Sequence, residues 1–161
     1  MEAEEALSPL TANAGFLLSR VGAAIQAGFK ELLAQWATRP QQFAVLSAVS
    51  AAGGASQQDL CRVLGIDSGN MVELVDTLEQ RGWAHRHRDP FDRRRYLLAM
   101  TPMGMSVLAA MQEAVGSYTA RFLEPLSQAE QEALAATLTK LYATTPEGER
   151  LPPRPEPARR P

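Results

Sequence analysis

One cysteine, two histidines and an aromatic content of only 6% limit what this 161-residue chain can do. The lone Cys61 excludes an intrachain disulfide framework and suits a reducing compartment. His85 and His87 are the only imidazoles; they stand two apart with no third ligand evident, so a metal site lacks its donor set. No nucleophile elbow and no phosphate-binding glycine loop is present, and Cys61 has no histidine near it in sequence. Catalysis is therefore disfavoured and no cofactor is expected. No apolar run is long enough to cross a bilayer, so no membrane partner is expected. The opening MEAEEALSP is acidic, unlike a signal peptide, which points to the cytoplasm. A net charge of −2 gives by itself no sign of a nucleic-acid partner.

The distribution of charge says more than its sum. Six of the 16 basic residues fall between Arg81 and Arg95, opposed there only by Asp89 and Asp92. That segment carries about +4 by this count. Apolar residues make up 45% of the chain, ordinary for a globular protein with one real core. The periodicity predicts a mainly α fold. Ser8-Pro9 reads as an N-cap and first turn, followed by Leu10, Leu17, Leu18, Val21, Ile25, Phe29, Leu32 and Trp36 at helical spacing. A second helix is expected from Pro40 or Gln41 to about Ala51, with Phe43, Leu46 and Val49 on its apolar side. A third opens at the capping box Ser56-Gln57-Gln58-Asp59 and ends at Gly65. A fourth runs from Asp67-Ser68 to Gly82, a left-handed C-cap position. Trp83–Arg88 and Tyr96–Met100 read as the strands of a β-hairpin around the polar loop DPFDRRR. Thr101-Pro102 caps a fifth helix carrying Val107, Leu108, Met111, Val115, Tyr118 and Phe122. Ser127 to Glu130 opens a sixth, with Leu134, Leu138 and Leu141 inward. Six of the 11 prolines lie from Pro146 onward, which reads as a disordered tail. The expected organisation is an acidic segment over 1–7, one domain over 8–145 and the tail over 146–161.

Ser56 to Gly82 is the most informative stretch. A helix-turn-helix needs a small residue inside its first helix, a turn residue that tolerates a left-handed backbone, and apolar residues returning from the second helix. Cys61, Gly65, and the set Leu60, Leu64, Ile66, Met71 and Leu74 meet those offsets. The second helix would then enter the major groove and present Ser68, Gly69, Asn70 and Glu73. Asn70 can pair with adenine, or it can be a capping residue; Glu73 can accept from a cytosine amine, or pair with a nearby arginine. The basic hairpin that follows is a wing. Arg86, Arg88, Arg93, Arg94 and Arg95 are expected on DNA, and Asp92 is placed to hold the Arg94 guanidinium in a fork. The first, fifth and sixth helices carry more apolar residues than a small three-helix core needs, and such surplus stripes pair between copies.

These residues resemble the MarR family of winged-helix regulators. The resemblance runs from about Leu7 to Ala143 and is carried by LCRVLGIDSGNMVELVDTLEQRGW and RDPFDRRRYLLAMTPMG. Asp92-Arg93-Arg94 is similar to the family's Asp-x-Arg wing motif, and Ala99 to Gly104 to its Leu-Thr-x-x-Gly, with Met100 for leucine. The resemblance implies a winged helix-turn-helix over about 40–101, with dimerisation helices over about 8–37 and 102–145. It also implies Arg94 in the minor groove, Asp92 holding it, and Ser68 and Asn70 on the base-reading helix. Glu73 departs from the family's frequent arginine or lysine, and Cys61 from its usual alanine. The function implied is a homodimeric transcription regulator, a repressor on a palindromic operator of double-stranded DNA. A small aromatic or anionic effector would release it from a pocket that includes Phe16, Arg20, Trp36 and Phe43. Two alternatives stand beside it: a winged-helix protein-interaction module without DNA contact, and a thiol redox sensor acting through Cys61.

Overall fold

The computed structural model describes residues 12–146. The expected cap at Ser8, Leu10, the acidic segment 1–7 and all of the tail but Pro146 lie outside the described residues. Six helices and a small sheet follow in the order α1 (Ala14–Ala34), α2 (Pro40–Ala52), β1 (Ala55–Ser56), α3 (Gln57–Leu64), α4 (Ser68–Gln80), β2 (Ala84–Arg88), β3 (Tyr96–Met100), α5 (Pro102–Phe122) and α6 (Gln128–Tyr142). The fold is a mainly α winged helix, as its sequence pattern predicts.

Local chemistry sets the boundaries. The Asn13 side chain caps α1 by accepting from the Phe16 N–H at 3.0 Å. Trp36, expected at the end of the first helical stripe, instead lies past the helix in a turn where Ala37 takes φ 48°. Ser56 caps α3, Asp67 caps α4 and Thr101 caps α5. Ser127 and Glu130 close the full capping box that opens α6. Gly65 (φ 65°) and Gly82 (φ 68°) end the two helices of the helix-turn-helix in the left-handed region, where glycine carries no steric cost.

The sheet is antiparallel in the order β1-β3-β2, with Ala55 opposite Leu98 and Arg88 opposite Tyr96. The hairpin stands as expected. Strand β1 was not: two residues are too short for an alternating pattern to register.

The core sits under the helix-turn-helix. Leu33 of α1, Val45, Leu46 and Val49 of α2, Leu60, Met71, Val75, Leu78, Leu98, Leu108 and Met111 are all buried. The helix-turn-helix packing set is therefore in place, with Leu64 and Ile66 partly buried against it. The outer helices differ. Leu33 is the one buried residue of α1, and α6 has none. Leu138 and Leu141, expected inward, are exposed within one protomer. The physical reason is that, among the described residues, α6 has no extensive packing against another element to receive them.

Candidate nucleic-acid interface

Helix α4 buries Met71, Leu74, Val75 and Leu78 and turns its opposite face to solvent. Ser68, Gly69, Asn70 and Glu73 are all exposed on its first two turns. Val72, which sequence reasoning passed over as a core residue, is exposed among them at 45%. The Asp67 carboxylate accepts from the Asn70 backbone N–H at 3.0 Å and from its side-chain amide at 2.6 Å. These bonds hold the Asp67 carboxyl below the usual aspartate range. In the free protein Asn70 thus serves the cap, with its amide still at the surface. The Glu73 side chain has no partner among the described residues, so the pairing with a nearby arginine is not seen in the free chain.

Arg86 is engaged inside the chain. Its guanidinium reaches Asp76 at 2.7 Å, Glu79 in a short ion pair, and Gln57 at 3.3 Å. Its backbone N–H also donates to Glu79. The side chain is only 24% exposed. Arg86, expected on DNA, therefore ties β2 to α4 and α3 in the free chain. Two carboxylates one helical turn apart make this the lower-energy place for the charge. Arg95 is likewise engaged: it donates to Asp59 at 3.0 Å and to the Ser56 hydroxyl at 3.1 Å, tying the start of β3 to the first turn of α3. The Asp59 carboxyl is held below its ordinary range, first by the Ser56 hydroxyl and against a burial penalty, with help from Arg62 and Arg95. Arg81 stacks on the Trp83 ring at 3.6 Å and donates to the carbonyls of Trp36 and Ala37, closing the turn after α1.

The wing tip is built by carboxylate-to-backbone bonds. Asp89 accepts from the N–H of Phe91 at 2.8 Å, and the Asp89 N–H donates to the Arg95 carbonyl at 3.0 Å. Asp92 accepts from the Arg94 backbone N–H at 3.0 Å. The expected fork between Asp92 and the Arg94 guanidinium is therefore corrected for the free chain: a two-residue separation in a turn suits an Asx bond to the main chain, and the carboxylate takes the Arg94 N–H instead. Arg88 donates to the Arg93 carbonyl and lies over the Tyr96 ring at 4.9 Å. Among the described residues, Arg93 and Arg94 are the wing arginines whose guanidinium groups have no protein partner. Sequence reasoning counted the six arginines alike; the carboxylates that sort them lie seven to 36 residues away, beyond any local pattern.

Cys61, the small residue expected inside the first helix of the pair, is partly buried. Partial burial, with the Asp67 carboxylate nearby, pushes its thiol above the ordinary range and so toward the unreactive protonated form. His85 and His87 lie with ring centroids 5.7 Å apart on the wing strand. The four residues expected to line an effector pocket are not gathered within one protomer. Phe16 and Trp36 sit at opposite ends of α1, on the order of 30 Å apart by helical rise. Arg20 is exposed on α1, and Phe43 packs edge-on against Phe29 at 5.5 Å. Phe29 instead borders a cavity of about 580 Å³ between α1 and α2, walled by Ala23, Gln26, Ala27, Lys30 and Pro40. No helix among the described residues is long and apolar enough to cross a membrane.

The MarR family profile matches residues 38–95, which run from the turn after α1 to the end of the wing loop. The transcriptional regulator HosA of Escherichia coli O157:H7 is 30% identical over 122 residues, covering 72% of this chain and 90% of HosA. A putative transcriptional regulatory protein for the hcr operon of Thauera aromatica is 36% identical over 103 residues; the match spans 64% of this chain and 62% of that protein. Among solved structures, CouR of Rhodococcus jostii RHA1 bound to p-coumaroyl-CoA is 31% identical with a TM-score of 0.73. The transcriptional repressor CouR bound to a 23-mer DNA duplex superposes with a TM-score of 0.75. Each CouR comparison covers 84% of this chain and 96% of the CouR chain.

Proposed function

The chain belongs to the MarR family of DNA-binding transcription regulators, and from that premise we propose that it is a homodimeric repressor that occupies a palindromic operator and leaves it on binding a small aromatic, anionic effector. One observation carries the DNA reading. Helix α4, exposed along its N-terminal turns, is followed after three residues by a wing whose tip holds two unengaged guanidinium groups, Arg93 and Arg94. A helix end of that kind suits the major groove, and free guanidiniums suit the narrow, electronegative minor groove beside it.

The dimer is supported by what one protomer leaves uncovered. Phe16, Leu17, Leu18 and Val21 on α1, Met103 and Met105 on α5, and Leu138, Leu141 and Tyr142 on α6 are all exposed. A helix such as α6, with no buried residue of its own, gains its packing from a second copy. A two-fold dimer then reads half-sites about one turn apart, roughly 10–10.5 bp centre to centre. Occupancy of such a site excludes competing proteins from the same DNA, which is repression.

The effector class rests on similarity and on one cavity. CouR is a repressor that binds p-coumaroyl-CoA, an aromatic and anionic molecule. Here the cavity beside Phe29 has a size ordinary for small ligands. Phe29 offers an aromatic wall, and Lys30 a cation for an acidic group. It lies where the outer helix meets the DNA-reading lobe.

Fluorescence anisotropy on a duplex selected from a random library by the native protein tests the reading. Arg94→Ala should weaken binding by about 1–3 kcal/mol, roughly 5- to 150-fold, for each of the dimer's two wings, the usual worth of one well-placed contact. The acidic face of α4, with Glu73 free and Asp76 paired, favours a second reading as a protein-interaction module. Unchanged affinity for Arg94→Ala, or failure of the native chain to select any duplex, would transfer the conclusion to it.

A further inference from the structure

Most exposed apolar side chains in this protein have an explanation on their own element. Those on α1, α5 and α6 belong to the surface assigned above to the dimer. Tyr96 is covered on one face by Arg88, and Val72 lies on the groove-facing side of α4. Phe91 has none. It is 98% exposed, far beyond the next large apolar side chain among the described residues, Met103 at 59%. It stands at the tip of the wing, between Pro90 and Asp92, two residues from the free Arg93.

The loop holds it there. Asp89 accepts from the Phe91 N–H at 2.8 Å and from the Asp92 N–H at 3.4 Å. Asp92 accepts from the Arg94 N–H, and the Arg95 N–H donates to the Asp92 carbonyl at 2.9 Å. Pro90 fixes the backbone torsion just before it. A phenyl ring on so tied a loop loses little conformational freedom when a partner covers it. Apolar burial within its own chain contributes nothing at this position, because there is no burial.

We propose that Phe91 is an apolar wedge that the wing carries into the DNA minor groove, where it presses its ring against a base step and partly unstacks it. This rests on the DNA reading above. The occupant follows from the surroundings: Arg93 and Arg94, with unengaged guanidinium groups, stand two and three residues from the ring on the same wing tip, so a polyanion is the partner that satisfies both chemistries at once. Phenylalanine is among the side chains that unstack steps from the minor groove, and pyrimidine–purine steps such as TA give way most readily. The wing therefore prefers such a step in an A·T-rich setting at a position that α4 does not touch.

The test uses the full chain and the duplex it selects from a random library. The footprint locates the wing contact, and 2-aminopurine replaces an adenine at that step. The native protein should raise 2-aminopurine fluorescence severalfold on binding. Phe91→Ala should abolish that rise and lower affinity by roughly 5- to 150-fold for each of the two wings, the range for loss of one stacked base. Phe91→Leu should keep part of both. The salt dependence of binding should be the same for all three proteins, since no counterion-releasing group has changed. The residue is almost wholly exposed, so circular dichroism should show both variants folded. Native-like affinity and a native-like fluorescence rise for Phe91→Ala would overturn the proposal. So would an affinity loss with no fluorescence rise in the native complex, or a loss of self-association with DNA binding intact. Failure of the native protein to select any duplex would instead sink the DNA reading itself.

Discussion

Gly104→Ala should be among the most damaging single-methyl additions in this chain. Gly104 sits in the first turn of α5, where the helix leaves the sheet. A Cβ built there would lie 1.9 Å from the Trp83 carbonyl oxygen and 2.7 Å from its carbon. Real Cβ contacts stay beyond 3.0 Å, so strand and helix must part by about 1 Å. The obstacle is backbone and cannot rotate away. Three bonds lie in the path of that movement: Thr101 N–H to the Trp83 carbonyl (3.0 Å), Thr101 hydroxyl to the Gly82 carbonyl (2.6 Å), and Gly104 N–H to the Thr101 hydroxyl (3.0 Å). Overpacking of a closed site costs about 1–3 kcal/mol, and a backbone clash puts this one at the upper end or above. The gain from alanine's lower unfolded-state freedom returns only about 0.5–1 kcal/mol. A net loss of about 2–3 kcal/mol should lower Tm by roughly 4–12 °C for a chain of this size. Thermal melting at one fixed protein concentration measures it, because an associating protein melts in a concentration-dependent way. A Tm within 1 °C of the native value would refute the clash and the rigid junction it implies.

The remaining expectations concern association, the wing and the thiol. Light scattering at micromolar concentration should return twice the mass of one chain; a monomer would remove the support for a palindromic site. Arg86→Met should destabilise the fold by about 1–3 kcal/mol, since it strands Asp76 and Glu79 half-covered without their cation; a thermal melt like the native one would show the network to be idle. Cys61→Ala should leave DNA release by peroxide unchanged, because a thiol pushed above its ordinary range holds less thiolate at neutral pH. Peroxide that frees DNA from the native protein but not from Cys61→Ala would establish the redox reading instead.

Much of the fold was legible because its signals are local. Ser56, Asp67 and Thr101 are caps with apolar periodicity behind them, and Gly65 and Gly82 are turn residues at fixed offsets. The hairpin announced itself by a change of period around a polar loop. What stayed hidden depends on distance in sequence or on a second molecule. Strand β1 exists only because Ala55 and Ser56 meet Leu98 and Leu97. The inward placing of Leu138 and Leu141 followed from amphipathicity, which says that a face is apolar and not what covers it. At the interface, α4 and its exposed residues could be read off the chain. The roles of Arg86 and Arg95 could not, because their acidic partners sit on other elements. Phe91 drew no notice because a lone aromatic residue in a loop is an ordinary sight until its exposure is known.

The sorting of the arginines also reconciles a net charge of −2 with a polyanionic partner. If all six arginines between Arg81 and Arg95 met phosphates, removing any one should flatten the salt dependence of binding alike. The structure separates them. Arg86 and Arg95 are already neutralised by Asp76, Glu79 and Asp59, and Arg81 is spent on carbonyls at the end of α1. Only a cation that displaces counterions from DNA contributes to the slope of log K against log salt, by about 0.9 for each phosphate neutralised. Arg94→Ala removes two such groups from a dimer and should reduce the slope by about 2. Arg95→Gln removes the same formal charge but leaves the Asp59 carboxylate to Arg62 and Ser56 alone, and that charge lies back on α3, not at the wing tip. It can weaken binding by loosening the wing, yet its slope should stay within about 0.5 of the native value. Anisotropy at four or five salt concentrations resolves the two cases. Equal flattening by both substitutions would mean that the Arg95–Asp59 latch opens on DNA, and that the wing in the complex is not the wing seen in the free chain.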